Sequence, residues 1–129
     1  MRLMPAFVLA LTLGLAAVAE AAPAPTTRSD CFASSNWRGW SAADGGDALY
    51  LRVGRNDIYR VELTRGSHVR KSPGDFLISE VRGANWICSA IDLDLTLADD
   101  LGFYRPLITR SLRKLSAAEV AAIPHEDLP

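Results

Sequence analysis

From Trp37 onward the dominant spacing between apolar positions is two. Leu49, Leu51 and Val53 alternate with Tyr50 and Arg52, and Tyr59, Val61 and Leu63 alternate with Arg60, Glu62 and Thr64. That pattern predicts two strands, each with one buried face. Gly54-Arg55-Asn56-Asp57 between them has the turn chemistry of a hairpin loop. An earlier turn, Asp44-Gly45-Gly46-Asp47, predicts a short strand over 37–41. A second hairpin is expected from 76–82, the turn Gly83-Ala84-Asn85, and 86–91. The run Asp92-Leu93-Asp94-Leu95-Thr96-Leu97 alternates cleanly and reads as a further strand. Residues 104–114 are the last candidate, and Pro106 restricts them to an edge or a strand's beginning because it has no N–H to donate.

The spacing changes once, near the end. Ser116-Ala117-Ala118-Glu119 is a capping box, in which serine and glutamate side chains each satisfy a backbone N–H at a helix start. Leu115 and Val120 stand where a hydrophobic staple would sit, and Pro124 stops the helix. Barely two turns long, it must dock on the sheet through Val120 and Ile123 to persist. About six short strands and one short C-terminal helix predict an all-β fold, β-rich α+β at most: a small antiparallel barrel or sandwich in a single domain over 30–124, with a polar tail at 125–129.

Composition changes the picture only at the N-terminus. Arg2 is followed by an apolar stretch from Met4 to Val18, and Ala19-Glu20-Ala21 has the small-x-small form that signal peptidase reads. Residues 1–21 are therefore expected to be a cleaved export signal, too short in its apolar core to span a bilayer and leaving no stable membrane insertion. Residues 22–29 then form a flexible linker. Without the signal segment the apolar fraction of the 129-residue chain falls from 49% to about 44%, as in an ordinary soluble domain. The expected location is periplasmic or secreted. A net charge of -1 disfavours nucleic acid as a partner.

Export changes how the two cysteines are read. In an oxidising compartment an even count points to a disulfide, and Cys31 with Cys88 is the one pairing available. Closing a loop of that length stabilises a fold by roughly 4 kcal/mol in the chain-entropy model. A zinc site with His68 and His125 and a nucleophilic thiol are the alternatives. The absence of a Cys-x-x-Cys pair and the wide separation of the histidines count against the first. Cys88 lies in the apolar run Trp86-Ile87-Cys88, which counts against the second.

Candidate chemistry is sparse. Asp92, Asp94, Asp99 and Asp100 form the densest acidic cluster, but the offsets of a calcium-binding loop are missing. A solvated strand face explains them more simply. Arg65, His68, Arg70 and Lys71 form a basic group in a Gly/Ser/Pro-rich loop. Trp37 and Trp40 flank Arg38 and Gly39, and on a regular strand the two indoles point to opposite faces, one into the core and one outward. An outward Trp beside Arg has the composition of a contact hot spot. No catalytic, metal-binding or cofactor motif is recognisable, and no cofactor is expected.

Asp30-Cys31, Trp37-Arg38-Gly39-Trp40 with Asp44, Tyr59-Arg60-Val61-Glu62-Leu63, Ile87-Cys88 and Leu115-Ser116-Ala117-Ala118-Glu119 occur in an order that resembles a family of small exported proteobacterial proteins catalogued as a domain of unknown function. The resemblance spans Asp30 to Ile123. It implies an envelope protein and no particular activity. Members typically carry four cysteines, and the other pair is missing here around Thr64–His68 and Tyr104–Ile108. Loss of one bonded pair implies that Cys31 and Cys88 are partners. The leading expectation is a non-enzymatic binding module for a protein or envelope component, with Trp37, Arg38, Trp40, Arg65, Arg70 and Lys71 as its contact surface. The alternative is a periplasmic hydrolase using carboxylates between Asp92 and Asp100.

Overall fold

The computed structural model describes residues 30–129 except 82 and 84, and of Val81 the backbone alone. The expected signal segment 1–21 and linker 22–29 lie outside the described residues. Nine strands and one α-helix occur among the described residues: β1 (Phe32–Ala33), β2 (Trp37–Ala42), β3 (Ala48–Val53), β4 (Asp57–Leu63), β5 (Phe76–Val81), β6 (Trp86–Ile87), β7 (Leu93–Ala98), β8 (Tyr104–Leu107), β9 (Thr109–Lys114) and α1 (Ala117–Ala121). They form antiparallel sheets ordered β2-β3-β4-β9, β5-β7-β8 and β1-β6. The β-rich expectation holds, with nine strands in place of about six and open sheets in place of a closed barrel.

Closure fails where β8 meets β9. The predicted single strand over 104–114 splits at Ile108, with β8 on the edge of one sheet and β9 on the edge of the other. Ile108 N–H donates to Ser67 Oγ at 2.9 Å and its carbonyl accepts from Thr64 N–H at 2.9 Å, so the 64–67 turn holds the corner at which the chain changes sheets. Pro106 does lie on an edge strand, where a missing N–H costs least.

The two larger sheets share one core. Leu49, Leu51, Val53, Tyr59, Val61 and Leu63 meet Leu93, Leu95, Leu97 and Leu107, as period-two patterning of the two inner faces requires. On the opposite face of the four-stranded sheet, Ala48, Tyr50 and Ile58 form a second cluster with Ala43 and Leu115, against which Val120 and Ile123 pack. Ser116 and Glu119 cap α1 reciprocally, so the helix docks as its staple and capping box predict. The segment after it is also fastened: Ser41 Oγ donates to the Asp127 carbonyl and Arg52 to the Pro129 carbonyl.

The expected hairpin from 76–82 to 86–91 does not form. β5 pairs with β7, and β6 is a two-residue strand paired with β1 in the register Phe32↔Ile87 and Ala33↔Trp86. Extending that register by one position places Cys31 opposite Cys88, and these two are disulfide-bonded. A two-residue ladder has little stability of its own, so the covalent bond keeps Phe32 and Ile87 in the core. After Cys88 the chain turns into a 3-10 turn over Ala90–Asp92, which ends the expected strand early.

Candidate functional site

Trp37 and Trp40 face the same way. A bulge between Trp37 and Gly39 places Trp37 opposite Val53 and Trp40 opposite Leu51, and both indoles pack against the shared core. The inserted residue shifts the alternation by one, which corrects the expectation of opposite faces. Trp37 Nε1–H donates to the Gly39 carbonyl at 2.8 Å, satisfying the indole within the bulge. Arg38, the extra residue, is exposed.

Lys71 caps this strand. Its ammonium lies 5.1 Å from the centre of the Trp40 ring and donates to the Trp40 carbonyl at 3.3 Å. Arg70 and Lys71 line a groove of about 570 Å³ with Asp44, Glu126 and Asp127. The groove thus mixes both signs of charge. Val69 N–H donates to the Gly46 carbonyl at 2.8 Å, and a Cβ at Gly46 would stand 2.5 Å from the Val69 carbonyl; this close approach fixes the basic loop beside the Gly45-Gly46 turn. Arg65 is exposed on the 64–67 turn at the sheet junction. The six predicted contact residues therefore divide: Trp37 and Trp40 both pack on the core, Lys71 lies over the Trp40 ring and lines the groove with Arg70, and Arg38 and Arg65 are exposed at separate places.

The acidic residues are dispersed along β7. The Asp92 carboxylate caps the 3-10 turn, accepting from Cys88 N–H and Ser89 N–H at 2.9 Å each and from the Ser89 hydroxyl at 3.2 Å. Asp99, at the other end of the strand, accepts from Leu101 and Phe103 N–H at 2.9 and 3.0 Å. Seven residues of extended chain separate them by roughly 20 Å. These two carboxylates are therefore well beyond the ~5–9.5 Å of a hydrolytic pair. Asp92 is thus not a member of the strand face, as sequence alternation suggested, but a local cap. Among the described residues no group of three His, Cys, Asp or Glu side chains is placed to hold a metal ion.

The hydrogen bond from Cys88 N–H, with those from Ser89, holds the Asp92 carboxyl below the usual carboxylate range against the opposing effect of burial. A depressed folded-state value contributes stability above the unfolded value, near 4, that is lost as pH falls through the folded one. Asp92→Ala is expected to cost about 1 kcal/mol at pH 7. The difference from wild type should shrink as pH falls below the ordinary carboxylate range, as denaturation in urea over that range would measure. A constant difference would mean that the cap's charge is immaterial.

Three strongly exposed apolar side chains lie close together in sequence around the β7–β8 turn, while Ile91 and Ile108 are exposed elsewhere. Leu101, Phe103 and Tyr104 are 80%, 71% and 66% exposed. Phe103 and Tyr104 line a cleft of about 530 Å³ with Arg70, Arg105, Leu97 and Asp99. Gly102, with φ of 87°, makes the left-handed bend that turns the chain there. Sequence reasoning missed this cleft. The available signal was Leu101-Gly102-Phe103-Tyr104, an apolar run at a turn, where polar residues are usual.

The fold and this surface define a disulfide-tied, open-sheet β domain with an aromatic and arginine cleft. Against protein-family models, curated proteins and solved structures, the chain has no significant match.

Proposed function

We propose that this is an exported, non-enzymatic binding module that contacts a protein or cell-envelope component through an aromatic and arginine surface, as the resemblance to small exported envelope proteins also suggests. The observation that carries the reading is the cluster of Leu101, Phe103 and Tyr104, all more than 60% exposed, beside Arg70 and Arg105. Large apolar side chains gathered on one turn have no role in the fold's own core, and contiguous patches of this kind mark interaction sites. Aromatic and arginine side chains are the residues that dominate binding energy at such sites. The disulfide supports export, since such bonds persist in oxidising compartments. No helix among the described residues is long and apolar enough to cross a membrane.

The test is a double variant, Phe103→Ser with Arg105→Ala, compared with wild type in crosslinking to envelope components. Exposed substitutions change stability by only about 0.5 kcal/mol, so the melting temperature should hold. Crosslinked adducts should fall by at least about tenfold, the ~1.4 kcal/mol that one hot-spot residue exceeds. Undiminished adducts would remove the basis for this assignment.

A further inference from the structure

The two larger sheets end in four edge strands, and three are blunted. β2 carries a bulge and has the Trp40 carbonyl taken by Lys71. β8 contains Pro106, and β9 presents Arg110, Arg113 and Lys114. These are the devices by which proteins prevent unwanted strand pairing. β5, Phe76-Leu77-Ile78-Ser79-Glu80-Val81, has no proline, no lysine and no break in its register with β7.

The direction of its free backbone groups follows from the ladder. Asp99 N–H donates to the Phe103 carbonyl at 3.2 Å, and Pro106 opposite Thr96 has no N–H to offer; alternation therefore makes Leu97 and Leu95 the residues bonded to β8. Asp94, Thr96 and Ala98 then bond to Glu80, Ile78 and Phe76 on β5. Leu77, Ser79 and Val81 are left with N–H and C=O directed at the open edge. Ser79 is also the one residue among those described whose side chain buries a polar atom, its Oγ, without a hydrogen-bond partner.

We propose that β5 pairs antiparallel with β5 of a second copy of this chain about a two-fold axis at Ser79. In that register each Ser79 faces its equivalent on the same face at the ~5 Å Cβ spacing of directly opposed residues. Rotation about χ1, bringing each Oγ out of its water-excluded position in the monomer, lets the two orphaned hydroxyls bond each other. Leu77 faces Val81 of the second copy, and three residue pairs exchange six backbone hydrogen bonds. Ile78 faces Glu80 of the second copy on the outer surface. A shift of two residues in one direction would oppose the two Glu80 side chains, and in the other would set Ser79 against Leu77. No residue of β5 lines the Phe103 cleft, although Asp75, just before the strand, does.

The test is sedimentation equilibrium of the disulfide-bonded protein from about 1 to 300 µM, a range over which a dimer of micromolar affinity dissociates. Wild type should show a concentration-dependent dimer. Ile78→Glu places like charges opposite each other twice and should weaken the dimer at least about tenfold, whereas Ile78→Lys, facing Glu80, should leave it intact or tighter. Ser79→Ala relieves the monomer of an unpartnered hydroxyl, so it cannot fail by losing a bond the monomer makes, and it should weaken the dimer several-fold. A monomer at all concentrations overturns the proposal, as does a dimer indifferent to Ile78→Glu, one equally weakened by Ile78→Lys, or one unaffected by Ser79→Ala.

Discussion

Replacing Cys31 and Cys88 together by alanine should lower the unfolding free energy by roughly 4 kcal/mol, because the bond closes a loop of 57 residues that the unfolded chain must otherwise order. Native stabilities of small domains are about 5–15 kcal/mol, so much of the total is at stake. The loss is specific in place. β1 and β6 are joined by two register pairs and one adjoining bond from Ser34 N–H to the Asn85 carbonyl at 2.8 Å. Without the disulfide, Phe32 and Ile87, 4% and 0% exposed, have only this short ladder to hold them in the core. Thermal unfolding of the variant, and of wild type under reductant, should show the same drop, on the order of 15 °C or more. A shift of only a degree or two would mean that packing alone holds the two strands.

The second large effect is expected at Leu95. It is fully buried at the centre of β7, where its neighbours across the ladder are Ser79 and Leu107, and it belongs to the core cluster between the sheets. Leu95→Ala removes buried methyl groups at a place where two sheets meet and cannot easily collapse, so a cost of about 3–5 kcal/mol is expected. Val120→Ala, on the small cluster under α1, provides the contrast, because Val120 is only half-buried. Denaturant unfolding should rank Leu95→Ala well above Val120→Ala. Equal losses would mean that the helix-side cluster matters as much as the shared core.

What could be read from the sequence is what depends on local pattern. The β3–β4 hairpin, the inward leucines of β7, the capping box of α1 and its docking through Val120 and Ile123 each follow from spacing within about ten residues. The features that escaped depend on one inserted residue or on distant pairing. The bulge at Arg38 reverses the facing of Trp37 relative to Trp40, and nothing in Trp-Arg-Gly-Trp announces it. β6 looked like half of a hairpin with β5, but its partner is β1, more than 50 residues earlier. Asp92 was assigned to a strand by alternation, whereas Ser89 three residues before it makes a capping box. Such competition between a side-chain cap and a strand ladder is decided by local hydrogen bonds that periodicity does not register.

The candidate surface moved for the same reason. The bulge turns both tryptophans of β2 onto the core, whereas Phe103 and Tyr104 on the β7–β8 turn are exposed. Arg70 links the two, since it lines both the groove beside Lys71 and the cleft with Phe103.

A photo-crosslinking side chain placed at position 103 or at position 37, in protein expressed with its N-terminal segment in the native compartment, tests the central claim most directly. The account predicts a discrete adduct from 103 that disappears with Arg105→Ala and none from 37, whose side chain packs on the core. An adduct from 37 with none from 103 would contradict it.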